Sequence, residues 1–439
     1  MRTTFILRTL AVVGVCSLMT HSIGAADWTQ FRGPSGAGIS SDSNVPVTWN
    51  NSHNLRWKFE LPGPGSSSPL VLGDRVFVTC YSGYGVPKQS GGDMKSLTRH
   101  LVCVNRVDGK KLWSKTVPND QPEDRYEGYI SEHGYASNTP VTDGERVYCF
   151  FGKSGVVAFD LSGQQLWQTN VGTESSNRRW GSGASLLLHQ DMVIVNASEE
   201  SQSIRALDKA TGKQKWKAAA SSLELAYGTP ALVTSKDGST ELVVAVPGEV
   251  WGLNLETGKL RWFAEHSLTG NICPSVIANG DLVYVFGGFR SAGSLALEAG
   301  GKDDVTQSHL KWSSRTSSYV ATPVLFEGHL YWIDDRGQAY CINATSGEQV
   351  YRERVNGLEG GGRPVYASPV VAGGKIYVPT RWNGVLVLPA KPKYEVLAQN
   401  KFEGDDSDFN ATPAISNDEL FLRSNRWLYC VGEGKTSQP

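Results

Sequence analysis

The feature that most constrains the fold is a sequence pattern that recurs eight times along the chain. Most copies begin with a hydroxyl residue before Pro, continue through an apolar run and a Gly-Asp-like turn, and end on a strand with an aromatic residue. In two copies the position of the hydroxyl residue is assigned to Cys273, before Pro274, and to Ala184, before Ser185. Most copies begin 44 to 49 residues apart, and the first step is 71 residues because the first copy carries insertions. The copies begin at Pro69, Pro140, Ser185, Pro230, Pro274, Pro323, Pro369 and Pro413.

The pattern predicts an all-β protein with four short strands in each copy. Alternation such as "RVFV" and "KIYV" is typical of strands whose two faces differ. Four-stranded units at this spacing bury their faces against their neighbours in a ring, so we expect an eight-bladed β-propeller with four antiparallel strands per blade. The high content of Gly, at 48 residues, and of Trp, at 13, agrees with many turns and many large apolar rings.

The two ends of the repeat region predict how the ring closes. The last copy stops after three strands, whereas "NLRWKFELP" before the first copy has the character of a fourth strand. We expect residues 55–61 to pair with the strand around residues 427–431 and complete the last blade. Such pairing leaves no open sheet edge at the junction.

The first 26 residues have the composition of a secretory signal, with an arginine-containing start, a short apolar run and small residues for cleavage. Cys16 is the residue at which a lipoprotein would be anchored, but the bulky Val15 precedes it and argues against lipid anchoring. We expect an exported protein of the periplasm or cell envelope. Its predicted parts are a signal peptide (1–26), an N-terminal extension (27–53), the propeller (54–434) and a tail (435–439).

The segment "ALDKATGKQKW" (206–216) represents a motif shared by several copies, among them "CVNRVDGKKLW" and "GLNLETGKLRW". We expect its Gly to turn the chain with a positive φ, its Asp or Asn to bond the turn backbone, and its Trp to pack between blades with the indole N–H on a backbone carbonyl. The sixth copy carries Tyr351 in place of Trp, and the seventh has lost the motif. The residues predicted to dock blades in this way are Trp57, Trp113, Trp167, Trp216, Trp262 and Trp312.

This motif resembles the tryptophan-docking repeat of quinoprotein dehydrogenases, which are eight-bladed propellers named for pyrroloquinoline quinone (PQQ). The resemblance covers residues 54–434 and implies the fold. Propeller enzymes of this kind carry PQQ with calcium, a disulfide between adjacent cysteines and a catalytic Asp, but the chain has no Cys-Cys dipeptide. The acidic group Asp405, Asp406 and Asp408 lacks EF-hand spacing and is interpreted as a solvated loop. We therefore assign no catalytic residue and no metal ligand, and keep PQQ with calcium as the alternative cofactor.

The cysteines are predicted to be mostly free and buried. Cys103, Cys341 and Cys430 occupy equivalent positions of separate blades, too far apart for disulfide bonds. Cys80 and Cys103 are the one pair that neighbouring strands could bring together.

The loops before each copy and the turns between second and third strands share one face of a propeller, around the mouth of its channel. Aromatic residues and cations are frequent there, and they could bind a planar or acidic ligand or a peptide. In the alternative interpretation the rings plug the channel and the cations pair with Glu199, Glu200, Asp334 and Asp335. The candidate ligand-binding residues are Tyr135, Trp180, Tyr227, Tyr319, Tyr366, Phe409, Lys153, Arg290, Arg336, Arg381, Trp382 and Arg426.

Three functions fit the sequence. The first is a non-catalytic, monomeric binding or scaffold module for a protein or polysaccharide partner, as in the outer-membrane β-barrel assembly lipoprotein that shares the PQQ-like repeat. The others are a PQQ-dependent dehydrogenase and a sensor that binds a small ligand at the channel mouth. The 42 Lys and Arg residues balance 43 Asp and Glu, which argues against nucleic acid as a partner.

Overall fold

A computed structural model describes residues 27–89, 92–358 and 361–434. The predicted signal peptide and tail lie outside these residues. The described residues fold into eight antiparallel sheets, one for each blade. These sheets confirm the predicted propeller with four strands per blade. A short fifth strand, Asp303–Asp304, adds in parallel to the outer edge of blade 4.

The blades are numbered in chain order. Blade 1 consists of Leu70–Leu72, Arg75–Ser82, Thr98–Asn105 and Lys111–Pro118. Blade 2 consists of Val141–Thr142, Arg146–Phe150, Val156–Asp160 and Gln165–Thr169. Blade 3 consists of Leu187–His189, Met192–Ala197, Ser203–Asp208 and Gln214–Ala219. Blade 4 consists of Ala231–Thr234, Thr240–Val246, Glu249–Asn254 and Leu260–Glu265.

The second half of the ring repeats this arrangement. Blade 5 consists of Ile277–Asn279, Leu282–Gly287, Gly293–Glu298 and Leu310–Ser314. Blade 6 consists of Val324–Phe326, His329–Ile333, Gln338–Asn343 and Gln349–Arg354. Blade 7 consists of Val370–Ala372, Lys375–Thr380, Gly384–Pro389 and Ala398–Asn400. Blade 8 consists of Ala414–Ser416, Glu419–Arg423, Trp427–Val431 and the early strand Leu55–Glu60.

Helical segments are short and lie in the connections. The α-helices are α1 (Ile130–His133), α2 (Ser198–Ser201) and α3 (Thr306–His309). Single 3₁₀ turns cover Pro34–Gly36, Met94–Ser96, Gly152–Ser154 and Ser221–Leu223.

The predicted closure of the ring is confirmed. Leu55 pairs with Val431 and Glu60 pairs with Trp427 in an antiparallel ladder. A second link at the junction of blades 8 and 1 is the buried Arg423, whose guanidinium donates to Thr79 O at 2.6 Å and to Ser67 Oγ at 2.7 Å. The chain therefore joins its two ends by both backbone pairing and a buried cation.

A chain of hydroxyl groups links the blades around the channel. The backbone N–H of one hydroxyl residue donates to the side-chain oxygen of its equivalent in the next blade, at 2.9–3.1 Å. The linked residues are Ser68, Thr139, Ser185, Thr229, Ser275, Thr322, Ser368 and Thr412. The predicted positions of the linking residue were wrong in two copies. Ser185 and Ser275 supply the linking hydroxyl groups there, instead of the predicted Ala184 and Cys273.

The docking motif acts as predicted in most blades. Trp216, for example, donates its indole N–H to Leu255 O at 2.7 Å, and a Cβ on Gly258 of the next blade would lie 2.4 Å from the Trp216 ring. Gly258 has a φ of 69°, as expected of the turn. Equivalent indole-to-carbonyl bonds are made by Trp57, Trp113, Trp167 and Trp312. Trp262 differs, since its N–H donates to the carboxylate of Glu241 within its own blade, at 2.6 Å.

The cysteines follow the prediction. The six described cysteines are free, and all except Cys273 are buried. Cys80 lies opposite His100 and Cys103 lies opposite Phe77 in the first blade, so the pair that could have formed a disulfide is out of register.

The N-terminal extension crosses one end of the channel. Trp28 pairs with Val71 of blade 1, and Ile39 pairs with Val371 of blade 7, both innermost strands. Between them Arg32 is 1% exposed and donates to carbonyl oxygens of both the extension and the opposite blades, including Thr322 O at 2.8 Å. The extension therefore closes this end of the channel.

Candidate functional site

The open end of the channel contains a chamber of about 190 Å³. Its lower wall consists of the linking hydroxyl residues, from Thr139 to Thr412, and Phe31 of the N-terminal extension contributes an apolar ring. Aromatic rings form the wall nearer the mouth. They are Tyr129, Trp180, Tyr227, Tyr319 and Tyr366.

The aromatic wall is built from contacts between loops of different blades. Trp180 stacks on Tyr227 with ring centroids 5.4 Å apart, and the Tyr129 ring centroid lies 4.2 Å from that of Trp180. The Arg363 guanidinium lies 4.5 Å from the Tyr319 ring centroid. Flat rings with hydroxyl groups beneath them suit a ligand that has both an apolar face and polar edges.

The segment that contains α1 lies across part of the mouth. The Glu132 carboxylate pairs with Arg381 of blade 7 at 2.7 Å. His133 Nε2 contacts Trp180 O at 2.8 Å, so this nitrogen carries the proton and donates. Asn410 Nδ2 donates to Glu132 O at 2.7 Å. Three contacting loops thus hold this segment over the chamber.

Glu132 and His133 were not among the predicted site residues. Burial lowers the pKa of His133, so the ring is neutral at pH 7. Burial raises the pKa of the Cys273 thiol, which also lines the chamber, to about 12. Cys273 is therefore a neutral thiol and a poor nucleophile.

Four of the seven predicted aromatic residues line the chamber: Trp180, Tyr227, Tyr319 and Tyr366. Tyr135 lies outside this lining, because it packs edge-on against Tyr81 and donates its hydroxyl to Asp124 O. Phe409 also lies outside it, since its ring stacks against Tyr429.

The predicted cations are more dispersed. Arg381 lies over the Tyr366 ring and pairs with Glu132 and Asp408, and Trp382 donates its indole N–H to the same Asp408. Lys153 pairs with Asp124 at 3.0 Å.

The remaining three cations lie away from the chamber lining. Arg426 pairs with Glu60 on the surface, Arg336 is exposed, and Arg290 lies in an outer groove. Among the described residues, no ion pair joins the predicted cations to the carboxylates expected in the alternative interpretation. Asp335, for instance, pairs with Arg363.

Buried acidic residues lie behind the aromatic wall. Glu199 accepts the Tyr227 hydroxyl at 2.6 Å, and its neighbour Glu200 is 2% exposed with an Oε2 that has no hydrogen-bond partner among the described residues. Burial, followed by the charge of Glu199, raises the pKa of Glu200 to about 8. Glu200 is therefore largely protonated at pH 7.

Comparison with known proteins decides the family. A family model described as outer membrane protein assembly factor BamB matches residues 36–180, 98–301 and 293–394, which together cover most of the chain. The chain belongs to this family. A solved BamB structure from Moraxella catarrhalis superimposes with a TM-score of 0.60 at 15% identity, covering 88% of this chain and 99% of that one.

Curated relatives of this BamB-family propeller have more than one function. A polyvinylalcohol dehydrogenase from a Pseudomonas species is 22% identical over 76% of this chain and 57% of its own length. BamB from Burkholderia pseudomallei is 23% identical over 53% of this chain and 59% of its own length. The chain thus spans a little over half the length of these two relatives.

The chamber residues do not fit PQQ with calcium. Calcium prefers several carboxylate and amide oxygens, but the one carboxylate in the lining, Glu132, is paired with Arg381. Within the described ranges, no group of three or more His, Cys, Asp or Glu side chains is arranged to hold a metal ion. Cys273 is the single cysteine of the lining.

Within the described ranges, no helix has the length and apolar character needed to cross a membrane.

Proposed function

We propose that this protein is an exported, non-catalytic binding module whose channel chamber holds a ring of a polysaccharide. The observation that supports it best is the lining itself, in which stacked Trp180 and Tyr227 stand above a circle of hydroxyl groups. Sugar rings present apolar C–H faces to aromatic side chains and hydroxyl groups to polar ones. The N-terminal extension blocks passage through the channel, so a chain would enter and leave by the mouth.

Binding to oligosaccharides tests this proposal by calorimetry or by the fluorescence of the protein's tryptophans. Trp180→Ala removes the stacking surface and is expected to weaken binding about 10-fold or more. Tyr394→Ala, which changes an aromatic residue away from the chamber, is the matched control and should leave affinity unchanged. Equal affinity of Trp180→Ala and the unmodified protein for every saccharide that binds would contradict the proposal.

A protein partner is the second candidate, favoured by the family description as an assembly factor. In a pull-down experiment, recovery of the same envelope protein by the unmodified protein and by the Trp180→Ala variant would favour this candidate. Such a partner would use the outer surface of the ring.

The dehydrogenase alternative is favoured by the similarity to the polyvinylalcohol dehydrogenase. Titration with PQQ and calcium, followed by absorbance and by dye-linked alcohol oxidation, tests it directly. Tight binding of the quinone with turnover would replace the non-catalytic proposal.

A further inference from the structure

A second recess lies outside the chamber, on the same face, between blades 4 and 5. It is a groove of about 720 Å³. The loop after the last strand of blade 4 forms one side, and the turn between the second and third strands of blade 5 forms the other. Its lining includes Ser267, Arg290, Ser291, Leu310, Ser313 and Arg315.

The groove carries excess positive charge. Arg290 and Arg315 are both exposed, and neither guanidinium forms an ion pair or hydrogen bond with the residues that the structure describes. Glu265 is the one carboxylate in the lining. Burial lowers the pKa of His266 to about 4, so this ring is neutral at pH 7 and does not change the balance.

The backbone at Arg290 is strained. Its φ is 76°, in the left-handed region, within the turn "GGFRSAGS" where glycine is otherwise frequent. A non-glycine residue in this conformation costs about 1 kcal/mol relative to glycine. Such strain is found in turns as well as at functional sites, and it fixes where the side chain of the strained residue lies. Here it places a cation at the groove.

An aromatic residue joins the groove to the chamber. Phe289 is 42% exposed, and its ring centroid lies 6.0 Å from that of Tyr319 in the chamber wall. Asn271 Nδ2 donates to the Tyr319 hydroxyl at 2.8 Å and fixes this ring. Aromatic surface therefore continues from the chamber over Phe289 to the neighbouring Arg290.

We propose that the groove binds the acidic groups of a polysaccharide chain whose ring occupies the chamber, which makes the ligand an anionic polysaccharide. This inference rests on the proposed function and adds the charge of the ligand to it. A guanidinium without a partner among the described residues provides paired donors that match carboxylate and sulfate oxygens. Uronic acids and sulfate esters share this chemistry, and the experiment below separates them.

The test measures affinities by calorimetry for an oligogalacturonate, its neutral methyl ester, a sulfated oligosaccharide and poly-glutamate, at low and high salt. The variant is the double substitution Arg290→Gln and Arg315→Gln. The matched control is Lys213→Gln with Lys259→Gln, which removes two exposed cations from turns on the opposite face. Because all four side chains are exposed, we expect both proteins to fold.

We expect at least one acidic saccharide to bind about 10-fold more tightly than the neutral ester, and this preference to disappear at high salt and in the Arg290/Arg315 variant but not in the control. Whether the uronate or the sulfate shows the preference identifies the acidic group. Equal binding of acidic and neutral saccharides, an unchanged preference in the variant, or equally tight binding of poly-glutamate would overturn the inference while leaving saccharide binding intact. If no saccharide binds, the proposed function itself fails.

Discussion

The two ends of the channel are built in opposite ways. At the closed end, Trp28 and Arg32 are each 1% exposed, and the Arg32 guanidinium donates to carbonyl oxygens on several sides. At the open end, Trp180, Tyr319 and Tyr366 are only partly buried and surround a chamber. The difference indicates that the closed end contributes stability whereas the open end retains surface for a ligand. The predictions below test this separation.

The largest effect is expected at the closed end. Arg32→Ala would leave buried carbonyl oxygens without a donor and create a cavity, so we expect the free energy of unfolding to fall by about 3–5 kcal/mol. Burial lowers the pKa of Arg32 to about 9, which still leaves the side chain charged at pH 7. Denaturant unfolding measures the loss. Arg32→Lys keeps the charge but not the paired donors of the guanidinium, so its free energy of unfolding should lie between those of the unmodified protein and the alanine variant. A loss of unfolding free energy below about 1 kcal/mol for the alanine variant would contradict a structural role.

The next effect concerns the turns that receive the docking tryptophans. Gly258→Ala would force a positive φ on alanine and bring its Cβ to 2.4 Å from Trp216, so we expect a loss of about 2–3 kcal/mol. Gly374→Ala is the matched control, because it has the same φ of 69° but nothing within 4 Å of the added Cβ. It should cost about 1 kcal/mol. Equal losses in the two variants would show that contact with the tryptophan is unimportant.

A pH effect is expected behind the aromatic wall. The pKa of Glu200 is raised from 4.5 to about 8, so the folded protein keeps a proton that the unfolded chain has lost. The contribution of this proton to the free energy of unfolding is complete below about pH 4.5 and is lost as the pH rises through about 8. Glu200→Gln should therefore remove about 3–4 kcal/mol of the decline in unfolding free energy between about pH 5 and 8. Parallel pH profiles for the two proteins, measured by denaturant unfolding, would contradict the shift.

The smallest effect on stability is expected at the open end. Trp180→Ala removes a partly exposed ring, so we expect the free energy of unfolding to change by less than about 1 kcal/mol. A loss comparable to that of Arg32→Ala would remove the contrast between the two ends. Thermal and denaturant unfolding of both variants under one set of conditions gives this comparison.

The sequence predicted the repeating parts well. Trp216 and Gly258 recur at fixed offsets, and their docking contact depends on one blade and its neighbour. The same logic placed Tyr227, which precedes the innermost strand of its blade, in the chamber wall. It failed for Tyr135 at a similar offset, because the preceding α1 and the turn at Gly134, with a φ of 73°, turn this ring into a cluster with Tyr81.

Charge partners were harder to predict than rings. Arg381 was predicted at the mouth and lies there, but its partner Glu132 comes from an insertion with no counterpart in the other repeats. Arg290 occupies the equivalent turn of blade 5 and points to the outer groove, because the glycines around it give that turn a different path. Side chains in irregular loops follow local backbone conformation, which a repeat pattern does not encode.

By itself the sequence determined a closed ring of eight blades, because strand alternation, turn glycines and docking tryptophans are local signals repeated at blade spacing. The tertiary structure decided that one end of the channel is closed, and that the aromatic rings predicted at the other end surround an open chamber instead of plugging it. The contact that closes this end of the channel joins Arg32 to Thr322, which are 290 residues apart in the sequence. Contacts between such distant and unrepeated segments depend on how the ring brings them together, and no local pattern records them.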